Sequence, residues 1–178
     1  MPVDHFIAAP FGNYIKRADA ISVTGTWTVQ PRPGRISQII KTLRYTKQGW
    51  RNKLGLRNPG IEHALKKHNS NDVLSVASLD TDDWQRLHDV VPVHDNVEIN
   101  ISCPNVDHNP DIMNGIHLWT KHSRTWCIVK LPPNVENNFI DILVDLGYNQ
   151  IHASNTLPTA KGGLSGGVLI PHTLRITE

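Results

Sequence analysis

Short apolar runs rich in β-branched residues recur along this chain, and capped or amphipathic helical patterns separate them. Residues 6–9, 20–24, 73–77, 97–101, 126–131 and 150–154 read as strands, each stopped by turn residues or proline. Between them, a helix is predicted from Ile61 to about Lys67, after the Asn58-Pro59-Gly60 turn. Thr81-Asp82-Asp83-Trp84 reads as the cap and first turn of a helix reaching about Val90. Further helices are expected over 113–123 and 135–146, the latter closed by Gly147, and another begins at Pro171. Most of these strands are apolar without alternation, which marks parallel strands covered on both faces. The expected class is therefore α/β with about six parallel strands and flanking helices, as a barrel or a doubly wound sheet. In either, polar residues at strand C-termini converge on one face: here Asn100 to Asn105, Lys130, and Ser154-Asn155-Thr156. With no linker or repeat in view, residues 1–178 read as a single domain.

Composition narrows the function classes. Charged residues make up 19% of the chain and hydrophobic ones 39%, as in a water-soluble globular protein. A net charge of +2 is too weak to indicate nucleic acid or an acidic membrane surface as a partner. Lys41 to Lys53 is the densest basic group and reads as a solvated face. No apolar run approaches the ~20 residues needed to span a bilayer, and the start lacks the regions of a signal peptide. Two cysteines, Cys103 and Cys127, are too few for a disulfide framework and suit a reducing compartment, so a cytoplasmic location is expected. The ten histidines match no ligand spacing: His63 and His68 are misplaced for one helix face, and His108 and His117 beside Asp107 and Asp111 form no recognised set. No metal site is expected.

The segment from Val97 to Val106 carries the most chemistry. An apolar strand ends at Asn100 and then presents Ser102, Cys103 and Asn105 around Pro104. A thiol accepts or donates a proton, and flanking carboxamides grip imide-like edges. The segment thus reads as one wall of a pocket for a polar planar ring, with one base aimed at it. Taken alone it also reads as a buried strand ending in a Pro-Asn turn, with Cys103 a small core residue. Likewise Lys130 alone could be a surface strand end, Asn52 and Asn155 turn residues, and 162–167 a flexible glycine loop.

Taken in order, the segments resemble the dihydroorotate dehydrogenase family, flavin-dependent β/α barrels of pyrimidine synthesis. Ile7-Ala8-Ala9 with Phe11-Gly12-Asn13 is similar to its first strand and flavin-contacting turn, and Val23 to Thr26, Thr28 and Pro31 to Gly34 to its second strand and proline-rich segment. Arg51 to Leu56, continuing to Asn58-Pro59-Gly60, resembles its substrate-binding turn, and Asn100 to Asn105 its catalytic loop. Val129-Lys130-Leu131-Pro132-Pro133 resembles the strand with its flavin-contacting lysine, and Ser154-Asn155-Thr156 and Gly162 to Gly166 the next strand end and glycine turn. The resemblance implies an incomplete TIM (β/α)8-type barrel that binds FMN and oxidises dihydroorotate to orotate. It implies Cys103 as the base, taking a proton while a hydride leaves the vicinal carbon for the flavin. The cysteine, with Lys-Leu-Pro-Pro, points to the soluble class. Relatives that reduce uracil-type rings typically carry Ser-Cys-Pro-His, so Asn105 favours orotate. Substrate would be held by Asn52, Gly55, Leu56, Asn100, Asn105, Asn155 and Thr156. The flavin would lie against Ala8, Ala9, Gly25, Thr26, Asn100, Lys130, Ser154, Ser165 and Gly166. Fumarate or a partner flavoprotein relaying to NAD remains open as electron acceptor.

The chain also departs from that pattern. A complete barrel has eight strands in typically ~250 residues, whereas this reading ends after the sixth strand and its following helix, apparently truncated before the strands whose turns hold the flavin phosphate. Asn13 or Thr24 stands where the family places a substrate-side lysine; Lys16 or Lys53 could substitute only by rearrangement. The crossover from Asn13 to Ala20 is short for a parallel connection, and Trp50, Arg51 and Lys53 crowd the substrate turn. The expectation is a flavin enzyme completed by a second copy (a homo-oligomer) or by a further C-terminal segment. The alternative is a shortened relative without FMN, serving as a binding or structural protein.

Overall fold

The computed structural model describes residues 4–101 and 114–178. Six strands form one parallel sheet: β1 (Phe6–Ile7), β2 (Ile21–Trp27), β5 (Val73–Val76), β6 (Asn96–Asn100), β7 (Cys127–Lys130) and β8 (Gln150–His152), paired in that order. Consecutive strands lie side by side, so the sheet is the arc of an incomplete TIM barrel, as expected. Four connections carry helix: α1 (Arg35–Thr42) and α2 (Ile61–Leu65) between β2 and β5, α3 (Asp83–Val90) between β5 and β6, a 3-10 stretch over Ile116–Lys121 between β6 and β7, and α4 (Asn137–Asp145) between β7 and β8. A last helix, α5 (Ile170–Thr177), follows. The short β1–β2 crossover has room only for a 3-10 turn, Phe11–Asn13.

The two faces of the sheet bury different chemistry. Leu74, Val76, Val97, Ile99, Val129 and Leu131 point to the helices and pack with Trp84, Leu87, Trp119, Leu143 and Tyr148. Trp84 and Trp119 are fully buried and meet edge to face, centroids 6.3 Å apart; such a pair contributes about 0.5–1.5 kcal/mol beyond its burial. The alternate residues face the inside of the arc. Val23, Val73 and Ile128 form a small apolar cluster there, and Ser75, Glu98, Asn100 and Lys130, each no more than 6% exposed, make a polar layer on the same strands. Strands that read as uniformly apolar thus carry a buried carboxylate and a buried ammonium.

Sequence reading missed two features. The first is α1: Ile36, Ile39, Ile40 and Leu43 recur at helical spacing in the sequence, yet Ile36 and Ile40 are exposed and none of the helix is fully buried. The second is an antiparallel sheet in the order β3 (Arg44–Thr46), β4 (Gly49–Asn52), β10 (Gly162–Ser165), β9 (Leu157–Thr159). Its strands are short, polar or glycine-rich and lack alternation. β3–β4 and β9–β10 are local hairpins, and β4 joins them to β10, placing Asn52 opposite Gly163 and Trp50 opposite Ser165. Pro158 sits on the edge strand β9, where no ladder donor is needed. Through this pairing, the chain after β2 is tied to the chain after β8.

Element bounds differ in detail. The strand predicted over 150–154 ends at His152, and that over 20–24 runs on to Trp27. The helix predicted over 113–123 is, among the described residues, the 3-10 stretch 116–121. Ile116 and Trp119 are both buried there, three apart, matching the three-residue period of a 3-10 turn.

Candidate functional site

The C-terminal ends of β2, β6 and β7, the segment after β8 and the turn after β4 converge on one pocket of about 160 Å³. Its lining includes Ala9, Gly25, Thr26, Asn52, Gly55, Leu56, Asn100, Lys130, Asn155 and Thr156, all expected from the sequence. Pro10, Arg35, Leu54 and Arg57 also line it and were not anticipated. Ala8, Ser154, Ser165 and Gly166 do not line it: Ala8 O accepts the Gly12 N–H at 3.2 Å, and Ser165 Oγ donates to Trp50 O at 3.2 Å across the β4–β10 pairing. Cys103 and Asn105 lie outside the described residues. The pocket's volume of about 160 Å³ is below the ~300–1,000 Å³ of most ligand clefts, and residues 102–113, which follow the β6 end, lie outside the described residues. The larger hollow, about 1130 Å³ between the β1–β2 crossover and α2, includes none of the expected site residues.

Local geometry explains the walls. Asn13 Oδ1 accepts the Gly25 N–H and Asn13 Nδ2 donates to Gly25 O, both at 3.0 Å, so the residue standing where a lysine was sought clamps the β2 end instead. Gly25 has φ +114°, and a Cβ there would lie 2.5 Å from Ser75 O; the close β2–β5 approach needs glycine. Asn52 Oδ1 accepts the Leu54 N–H at 3.2 Å, an Asx turn that shapes the Gly55-Leu56 wall. Lys16 pairs with Asp72 at 2.6 Å, within the lining of the larger hollow.

Beneath the pocket runs a hydrogen-bonded chain. Asn155 Nδ2 donates to Asn100 Oδ1 at 3.4 Å and Asn100 Nδ2 to Thr26 Oγ1 at 2.9 Å. Thr26 Oγ1 lies 2.9 Å from Ser75 Oγ, which donates to Glu98 Oε1 at 2.7 Å. Glu98 Oε2 is 2.6 Å from His152 Nδ1. Burial would push the Glu98 carboxyl up; the Lys130 charge and the His152 and Ser75 contacts overcome this and hold it at about 2. Glu98, Ser75 and His152 were not singled out as site residues. The available signal was a glutamate inside an apolar strand, which is almost never fully buried unless paired.

A flavin-type ring fits this donor set in part. Lys130 supplies a buried cation at the pocket wall, while Ser154, whose Oγ is buried without a hydrogen-bond partner among the described residues, does not reach the pocket. Among the described residues no cluster of three or more His, Cys, Asp or Glu could hold a metal, and no helix is long and apolar enough to cross a membrane.

Comparison with known proteins agrees with this geometry. Dihydroorotate dehydrogenase B (NAD(+)), catalytic subunit, of Cutibacterium acnes is 28% identical, covering 85% of this chain and 60% of that protein. The same subunit of Listeria monocytogenes serotype 4b is 28% identical over 83% of this chain and 60% of its own. Dihydroorotate dehydrogenase A (fumarate) of Lactiplantibacillus plantarum is 28% identical over 84% and 60%. The matched region thus spans about 60% of the length of these relatives. The family model for dihydroorotate dehydrogenase matches residues 11–176, nearly the whole chain, and this protein belongs to that family.

Proposed function

We propose that this chain forms the substrate side of an FMN-dependent oxidoreductase that converts dihydroorotate to orotate in pyrimidine biosynthesis. The observation that carries the reading is the convergence of three carboxamides, Asn52, Asn100 and Asn155, with the buried Lys130 around one pocket at the strand ends. Carboxamides match the alternating donor and acceptor edges of a pyrimidine dione, and Arg35 and Arg57 at the rim match its carboxylate. FMN, when bound, supplies the acceptor for the hydride equivalent. The chain's own residues do the rest. Cys103, as thiolate, takes the proton from the neighbouring carbon as the ring double bond forms. The carboxamides hold the ring in one orientation, which makes the two transfers a single aligned event. Lys130 would help to hold a bound flavin, its ammonium favouring the negative charge that reduction adds to the ring.

The test is direct. Purified protein, supplied with FMN, should turn yellow and oxidise dihydroorotate with a dye acceptor, and Cys103→Ala should keep the colour and lose turnover by at least about a hundredfold. Colourless protein that neither binds added FMN nor oxidises dihydroorotate supports instead a shortened, non-catalytic relative. Undiminished turnover in Cys103→Ala rejects the base assignment.

A further inference from the structure

We infer that Glu98 and Ser75, which do not touch the pocket, are its positioning residues: through Thr26 they dictate which way the Asn100 carboxamide faces. The argument is a proton count. An ionised carboxylate can only accept hydrogen bonds. Ser75 has one hydroxyl proton, and its 2.7 Å contact with Glu98 Oε1 consumes it. The 2.9 Å contact between Ser75 and Thr26 must then be donated by Thr26. Thr26 has no second proton to give, so its 2.9 Å contact with Asn100 must be donated by the amide nitrogen. This orientation follows from the donors available. Asn100 Oδ1 is left to accept from Asn155 Nδ2 at 3.4 Å, and Asn155 Oδ1 accepts the Thr156 N–H at 2.8 Å. At the other end, Glu98 Oε2 at 2.6 Å requires the proton on His152 Nδ1.

One buried carboxylate therefore sets the polarity of the whole row, from Asn155 through Asn100, Thr26 and Ser75. Glu98 and Ser75 are fully buried and outside the pocket lining, so neither contacts a ligand. Both Asn100 and Asn155 line the pocket, and their donor and acceptor pattern is in place before a ring arrives. A reversed Asn100 amide would oppose donor to donor against a ring with fixed edges, so the chain selects ligands by pattern as well as by shape.

This inference rests on the proposed substrate class only for its probe, orotate. Ser75→Ala removes one hydroxyl without disturbing the buried charge, freeing Thr26 to donate to Asn100 Oδ1 and the amide to turn over. Val73→Ala, a fully buried core change on the same strand, serves as the control. Calorimetry should show orotate affinity falling about tenfold or more in Ser75→Ala and staying within about twofold in Val73→Ala. The Asn100 side-chain amide pair in a nitrogen-15 spectrum, identified by its loss in Asn100→Asp, should move in Ser75→Ala and hold in Val73→Ala. Wild-type affinity in Ser75→Ala with an unmoved amide pair overturns the inference. If the wild type binds no orotate, the substrate assignment fails, and the amide pair alone decides: moved supports the positioning role, unmoved rejects it. Should Ser75→Ala not fold, Glu98→Gln, also outside the pocket lining, replaces the accept-only carboxylate by a carboxamide that can donate to Ser75, and is scored identically.

Discussion

Replacing Lys130 by Met probes the buried charge pair most sharply. Lys130 is 6% exposed and Glu98 not at all. Burial would push the Glu98 carboxyl up, and the largest influence holding it down to about 2 is the Lys130 charge. Met keeps the length of the lysine stem and deletes its ammonium, leaving a buried carboxylate with His152 and Ser75 alone. Lys130 acts on Glu98 through its charge rather than through an ion-pair contact, so its loss should cost about 1–3 kcal/mol, as for a buried group left short of a partner. At about 2–4 °C per kcal/mol for a chain of this size, Tm at pH 7 should drop by roughly 2–12 °C. The pH dependence carries the sign. In the wild type the folded carboxyl titrates near 2, below its ordinary 4.5, so its contribution is complete above about pH 5 and fades as acid approaches 2. In Lys130→Met burial dominates, the folded value rises, and acidification relieves the variant by letting Glu98 take a proton. The gap between wild type and variant should therefore narrow from pH 7.5 to 4.5, followed by thermal or urea unfolding of flavin-free protein. A gap that is flat with pH, that widens in acid, or that stays below about 1 kcal/mol at pH 7 would refute the pairing.

Gly162→Ala tests the tie between the hairpins: a Cβ at this φ of +111° would lie 2.3 Å from Asn52 O, and it should cost about 1–3 kcal/mol while weakening orotate binding, read by calorimetry beside unfolding. Unchanged affinity would mean that the β4–β10 pairing does not shape the pocket. Thiol reactivity separates the two cysteines. Burial pushes the Cys127 thiol up to about 11, so at pH 7.5 a thiol reagent should titrate Cys103 alone in native protein and both cysteines in denaturant; a native protein that still reacts after Cys103→Ala would contradict it.

The strand ends were legible because each carried its own marker: Asn100 closes an apolar run, Lys130 precedes Pro132-Pro133, and Asn155 follows a strand. Parallel strands in chain order then bring those ends together whatever the sheet's outer details. Glu98 was visible as a letter but not as a role, since strand alternation does not say which face meets helices and which meets the inside of the arc.

Hydrophobic runs, turn residues and chain order are local information, and from them alone the arc of six parallel strands and most of the residues around its pocket could be read. Long-range packing alone produced the antiparallel sheet that ties β4 to β10, whose partners lie more than a hundred residues apart and carry no alternation to announce them. It alone decided the polarity of the row from Asn155 to Glu98 as well, because a hydrogen-bond direction depends on which neighbours have spent their protons, and those neighbours come from four different segments of the chain.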